Sequence, residues 1–148
     1  MSFQFDFIES DSQNPTGFSR DEIADFLYDH LDQFGDSKAA ILNCIAYAYG
    51  DHAGQNGFIL LAHRDNEIMG VVIINDTNMK GYIPEHILVY IAVHGDARGQ
   101  GLGKQLMEKT IKNTTGDIAL HVEPNNPAVH LYNKFGFTNK YLEMRLTK

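Results

Sequence analysis

Seven consecutive apolar residues, Ile87-Leu88-Val89-Tyr90-Ile91-Ala92-Val93, run straight into the glycine-rich segment His94-Gly95-Asp96-Ala97-Arg98-Gly99-Gln100-Gly101-Leu102-Gly103-Lys104. A run that is apolar at both parities belongs in the middle of a sheet covered on both faces. It is far shorter than the ~20 residues a membrane span needs. The glycine segment leads into a helix with Leu102, Leu106, Met107 and Ile111 on its buried side. A central strand, a tight turn and an amphipathic helix in that order constrain the chain to an α/β fold.

The other elements arrange themselves around that strand. Phe3, Phe5 and Phe7 alternate with polar residues, as in a half-buried strand. Ser19 caps a predicted helix with Ile23, Phe26, Leu27 and His30 on one face, Asp21 and Glu22 in its first turn, and Gly35 after its end. A second helix is predicted over residues 37–49. Strands at Phe58 to His63 and Ile68 to Ile74 flank a tight turn, Arg64-Asp65-Asn66-Glu67. A strand at Ile118 to Glu123 precedes a last helix with Asn126 as N-cap, Pro127 at its first position and Gly136 as its stop. Residues 137–146 read as a closing strand. No repeat or linker divides the 148 residues, so residues 1–148 form one domain.

Charge and cysteine content exclude several classes. Net charge is −7, the sign opposite to that of a nucleic-acid binder. Residues 1–80 carry 13 Asp/Glu against 4 Lys/Arg, a balance of −9, whereas residues 81–148 carry 6 acids against 8 bases, a balance of +2. Such asymmetry suits a chain whose one end meets a cation and the other an anion; the plainer alternative is a solvated acidic surface. One cysteine, Cys44, builds no internal disulfide and suits a reducing cytosol. The opening residues lack the basic start and apolar stretch of a signal peptide, so a cytoplasmic protein away from membranes is expected. The seven histidines show no zinc spacing, and no metal is expected.

The glycine segment carries the clearest chemistry. Glycines let the backbone approach a ligand closely, and the first free N–H groups of a helix point outward at its positive dipole end. With Arg98 and Lys104 beside them, they make a pyrophosphate cradle. A Walker loop fails, because Arg98 and Gln105 stand where it needs Gly and Ser or Thr. A dinucleotide fingerprint fails at its third glycine, although Glu123 stands about where a ribose-binding acid would.

Arg98-Gly99-Gln100-Gly101-Leu102-Gly103 after Ile91-Ala92-Val93 resembles the acetyl-CoA-binding motif of the GNAT superfamily of N-acetyltransferases. The segment Asn126-Pro127-Ala128-Val129-His130-Leu131-Tyr132-Asn133-Lys134-Phe135-Gly136-Phe137 resembles that family's second signature. The resemblance implies a mixed, mostly antiparallel sheet, split between two strands to hold acetyl-CoA and flanked by helices on both faces. It implies that acetyl-CoA, the co-substrate, lays its pyrophosphate on the amides of Arg98, Gly99, Gln100, Gly101, Leu102, Gly103 and Lys104. Its pantetheine arm would pair with the backbone of Ile91, Ala92 and Val93, and an N–H near Val93 would face the thioester oxygen. Tyr132 matches the usual general acid, and Asn126, besides capping its helix, would touch the cofactor.

An attacking ammonium must lose a proton. Glu85, which by parity shares a strand face with Ile87, Val89 and Ile91, and Glu123, which ends the neighbouring strand, are the candidate bases. His86 and His94 fall on the opposite parity. The expected activity is acetyl transfer from acetyl-CoA to a primary amine by direct attack, with a small-molecule or peptide acceptor, cationic by the charge argument, and a homodimer compatible with the sequence. The alternatives are a catalytically silent acyl-CoA-binding or sensor domain, which would not need Tyr132, and a nucleotide-binding domain.

Overall fold

The computed structural model describes residues 2–148. Five strands form one sheet in chain order: β1 (Gln4–Ile8), β2 (Gly57–Arg64), β3 (Glu67–Asp76), β4 (His86–Val93) and β5 (Ile118–Ala119). The first four pair antiparallel, and β5 joins β4 in parallel. The β2–β3 connection is the expected tight hairpin, with both central residues, Asp65 and Asn66, in the left-handed region at φ 55° and 62°. Positive φ at both positions is what a two-residue hairpin turn demands, and Asp-Asn supplies it at low cost.

Two apolar layers cover the sheet. Helices α1 (Arg20–His30) and α2 (Lys38–Ala48) lie on one face, where Ile23, Leu27, Ile41 and Ile45 meet Ile59, Leu61, Val71 and Ile73. Helices α3 (Leu102–Lys112) and α4 (Ala128–Lys134) lie on the other, where Leu102, Leu106, Met107 and Tyr132 meet Leu60, Val72, Ile74 and Leu88. Ser19 caps α1 as expected, in a reciprocal capping box with Glu22. On α3 the buried stripe is completed by Thr110, while Ile111 is 37% exposed, one position away from the expected face.

Two further expectations differ. The strand expected over Ile118 to Glu123 keeps ladder bonds only at Ile118 and Ala119, paired with His86 and Ile87. Beyond them the chain leaves β4, so β4 and the residues after β5 diverge. The closing strand expected over residues 137–146 does not form; residues 138–148 are exposed and carry no strand pairing. A sequence pattern suited to a strand forms one only where an edge hydrogen-bonds it, and here no strand of this chain takes it up.

Candidate functional site: the split beside β4 and the turn after it

The pairing of β4 with β3 puts a β-bulge inside the apolar run. Ile73 faces Tyr90 and Ile74 faces Leu88, which leaves Val89 without a partner on β3. The extra residue resets the alternation of faces. Leu88 packs on the α3 side, Tyr90 and Ala92 on the α1–α2 side, and Ile91 and Val93 again on the α3 side. Strict parity therefore misplaces residues on the two sides of the bulge. Glu85 does not share a face with Ile91, and His86 and His94 do not share one with each other.

The bulge also decides which backbone groups are free. His94 donates its N–H to the Met69 carbonyl at 2.8 Å. Main-chain groups alternate sides along a strand, so Ala92 and Tyr90 also turn toward β3. Ile91 and Val93 turn the other way, toward the gap that opens where the chain after β5 departs. Of the three residues expected to pair with an extended ligand, two have their main chain on the open side and Ala92 does not.

After β4, a 3-10 turn (Gly95–Ala97) leads through Gly99 (φ +80°) and Gly101 (φ +78°) into α3. Gln105 is the first helical residue whose N–H finds a carbonyl, that of Gly101. Among the described residues, no acceptor takes the main-chain N–H groups of residues 99–104. A Cβ at Gly99 or Gly101 would meet nothing within 4 Å, so only the backbone angle or a ligand demands glycine there. Gly103 is ordinary helix, 3.6 Å from Leu131 by the same construction. The result is a run of outward donors at the positive end of a three-turn helix, the arrangement that takes up phosphate.

Both cations beside the turn have an acidic neighbour. Arg98 donates to the His30 carbonyl (3.2 Å) and to Asp32 (3.4 Å), binding the turn to the C-terminal end of α1. Lys104 lies 3.9 Å from Glu108 one turn on. A feature the sequence did not announce adjoins them. The His30 and His94 rings stack at 4.4 Å, with Phe26 at 4.6 Å from His30. Gly95 N–H donates to His30 Nδ1 (3.4 Å) and Asp96 N–H to His94 Nδ1 (3.0 Å). Burial, and then the neighbouring His94, hold the His30 imidazole below its usual range. The pair lies 64 residues apart in the chain, with no motif linking them.

Tyr132 belongs to the α3–α4 core and is 7% exposed. It occupies the last turn of α4, which ends in a Schellman motif: Phe137 N–H bonds the Tyr132 carbonyl and Gly136 N–H, at φ +91°, bonds that of Asn133, both at 3.1 Å. Phe137 packs edge-on against the Tyr132 ring at 5.8 Å. Burial pushes the phenol up to about 12, so it stays protonated at neutral pH. α4 starts one residue later than expected, with Pro127 rather than Asn126 at the N-cap position, while Asn126 Oδ1 accepts the Ala128 N–H at 2.9 Å just ahead of it.

The two carboxylates have different surroundings. Glu85 stands just before β4, where β4 and β5 are still paired, and accepts the Asp117 N–H at 3.1 Å. That bond holds its carboxyl below the usual range. Nearby, His86 contacts Asp76 Oδ1 (2.7 Å) and the Thr115 carbonyl (2.8 Å), and a shallow depression opens among Asp76, Lys80, Glu85 and His86. This is the end of β4 away from the glycine turn. Glu123 is exposed on the diverging wall; Ile118, Leu120 and Val122 pack against the α3–α4 core, which leaves His121 and Glu123 outside it. Across from them on the α1–α2 side, Tyr90 donates to Asp36 at 2.5 Å, pinning the α1–α2 connection over β4. Cys44 is buried and pushed up to about 12, a packed thiol.

Residues 55–139 match a family model described as Acetyltransferase (GNAT) domain. The chain is 35% identical over 88 residues to the 5-NmdU N-acetyltransferase of Pseudomonas phage PaMx11, an alignment covering 58% of this chain and 61% of that relative. The matched region thus spans less than two thirds of that relative's length. Among solved structures, a GNAT-family protein described as a putative acetyltransferase from Desulfovibrio desulfuricans superposes with a TM-score of 0.70 at 15% identity, covering 95% of this chain and 87% of that one. An aminoglycoside N-acetyltransferase, AAC(6')-Iy, solved with CoA, gives 0.67 at 14% identity over 100% and 97%. The mixed sheet with helices on both faces is the fold these structures share.

Proposed function

This chain belongs to the GNAT family of acetyltransferases, and we propose on that premise that it moves an acetyl group from acetyl-CoA to a primary amine by direct attack in a ternary complex. The observation that carries this reading is the run of unpaired N–H donors at residues 99–104, adjoining the open main chain of Ile91 and Val93. The donors suit a pyrophosphate, and the strand edge suits the amide-bearing pantetheine arm, which can pair as a strand would. An N–H at Ile91 or Val93 then faces the thioester oxygen and stabilises the negative charge that develops there.

Tyr132 is the group proposed to meet the departing sulfur. A phenol near 12 is a weaker acid than a thiol near 8.5, so complete transfer of its proton runs uphill by roughly 5 kcal/mol. Its action is therefore best described as a hydrogen bond donated to the developing thiolate. The incoming amine, which must shed a proton in any case, supplies the proton that finally settles on sulfur. Of the two candidate bases, Glu123 is favoured. Glu85 lies six residues before Ile91, about 20 Å of strand, and its carboxylate already holds the Asp117 N–H.

The acceptor reading follows from charge. Several acids of the first half are already paired: Arg20 bridges Asp11 and Asp51, and Lys38 bridges Asp25. Asp32 is likewise paired with Arg98, but exposed Asp29 and Asp36, the latter also holding the Tyr90 hydroxyl, remain near the α1–α2 connection above β4, which favours a cationic amine arriving from that side. The test is CoA binding by calorimetry, then acetyl transfer to polyamine, aminoglycoside, amino-acid and 5-NmdU acceptors at low and high salt. The expected result is CoA binding with turnover best on a cationic amine and falling as salt rises. Binding without transfer to any amine would leave an acyl-CoA-binding domain.

A further inference from the structure

The first N–H groups of a helical turn have no acceptor within the turn itself. In the turn after β4 their acceptors are imidazole nitrogens: Gly95 N–H donates to His30 Nδ1 at 3.4 Å and Asp96 N–H to His94 Nδ1 at 3.0 Å. The two rings stack on one another at 4.4 Å, and Phe26 backs His30 at 4.6 Å. Arg98, one residue past the turn, reaches back to the His30 carbonyl at 3.2 Å. His30, the last residue of α1, thus grips the turn at both ends, by its ring and by its carbonyl. Within the turn, Ala97 N–H bonds the His94 carbonyl (2.9 Å) and Gln100 Nε2 bonds that of Asp96 (3.0 Å). The free N–H groups of residues 99–104 follow directly.

A neutral imidazole whose Nδ1 accepts an N–H carries its one proton on Nε2. A second proton would go to Nδ1 and set donor against donor, so the turn's bonds and a charged ring exclude each other. Groups of both signs face the pair. Asp29, Asp32 and the C-terminal end of α1 favour charge on His30, and Glu67 and Asp96 each come within 3.9 Å of a His94 ring nitrogen. These four carboxylates are exposed, and water screens them. Burial, the neighbouring His94 and Arg98 oppose charge on His30. We propose that His30 is a positioning residue for the anion cradle: with His94 it holds the turn in the form that aims the amides of residues 99–104 at phosphate, and it does so only while both rings are neutral. The phosphate is that of CoA, as in the function proposed above, on which this role rests. Rings that met the phosphates directly would bind them better when charged, whereas rings that position the turn bind them worse.

Calorimetric titration of the full chain at about pH 8 and about pH 5, on either side of an ordinary imidazole, tests this, with circular dichroism checking the fold at both. Dephospho-CoA serves as ligand, because it lacks the phosphomonoester that in CoA titrates near about 6. Affinity for the unaltered protein is expected to fall about five- to tenfold at the lower pH, the worth of one net hydrogen bond. His30→Asn keeps an acceptor oxygen where Nδ1 stood and gains no proton, so it should lose most of that fall, and the double variant with His94→Asn all of it. His30→Leu, which accepts nothing, should bind more weakly than the unaltered protein at the higher pH. In the ligand-free protein, the amide resonances of Gly95 and Asp96 should titrate together with the His30 and His94 ring resonances, which covers the case in which the variants misfold. Affinity that rises at the lower pH, a fall that the double variant reproduces in full, or amides that ignore the titration of the rings would each overturn the positioning role alone. Absence of binding at either pH would overturn the proposed function, and the positioning role with it.

Discussion

Replacing Gly101 separates what the fold needs from what a ligand needs. Its φ of +78° is in the left-handed region, and a Cβ built there meets no atom within 4 Å. Gly101→Ala therefore introduces no clash with the protein, only the left-handed strain of a β-carbon, about 1–2 kcal/mol. For a domain of this size that lowers Tm by about 2–8 °C. Asn tolerates the same conformation through its short polar side chain, so Gly101→Asn should unfold close to the unaltered protein. If phosphate oxygens approach the amides of residues 99–104, both side chains intrude on that approach. Losing one charge-assisted hydrogen bond costs about 1.5–3 kcal/mol, which weakens CoA by roughly 10–150-fold. Thermal melts and calorimetric titration with CoA read the two effects apart. A well-folded Gly101→Asn protein that binds CoA as tightly as the unaltered chain would refute the cradle.

Three further outcomes are expected. Tyr132→Phe keeps the ring against Phe137 and leaves Tm nearly unchanged, while kcat falls roughly 10²–10³-fold for loss of a donor to developing charge; unchanged steady-state turnover would make Tyr132 a core aromatic only. Glu123→Gln should lower kcat more than Glu85→Gln, whose neutral oxygen can still accept the Asp117 N–H, and the reverse ranking in kinetics would move the base to Glu85. For pH, a His30 held below its ordinary value binds fewer protons folded than unfolded. Stability is then full above about 6.5 and declines as pH falls through the lowered folded value; Tm measured from neutral to mildly acid pH should fall more steeply for the unaltered protein than for His30→Gln.

The fold was legible where one local rule decided an element. Ser19 with Glu22, Asp65-Asn66, and Gly136 each impose a local conformation that needs no distant partner, and each appears where the sequence put it. The apolar run at 87–93 identified the central strand in the same way. Legibility ended where pairing decided. The stretch after Ala119 and residues 138–148 carry strand-like sequence, yet a strand exists only against a neighbour, and the register of that neighbour is not a property of the segment itself.

The site divides along the same line. The glycine turn was readable because its requirement is local: backbone at positive φ, then a helix start with free N–H groups. The bulge at Val89 was not, since alternation of apolar residues is uninformative in a run that is apolar throughout; only the pairing Ile73–Tyr90 and Ile74–Leu88 exposes the extra residue. One inserted residue turns the main chain of Ile91 and Val93 toward the gap and leaves Glu85 out of phase with them. His30 and Asp36 join the site through His94 and Tyr90, across 64 and 54 residues. Such contacts follow from how α1 is laid over β4, which is set by burial of Ile23, Phe26 and Leu27 rather than by any property of His30 or Asp36. A side chain that reaches a site by the packing of its neighbours leaves no mark at its own position in the sequence, and that is why the proposed anion-binding side of this split could be read ahead of the proposed acceptor side.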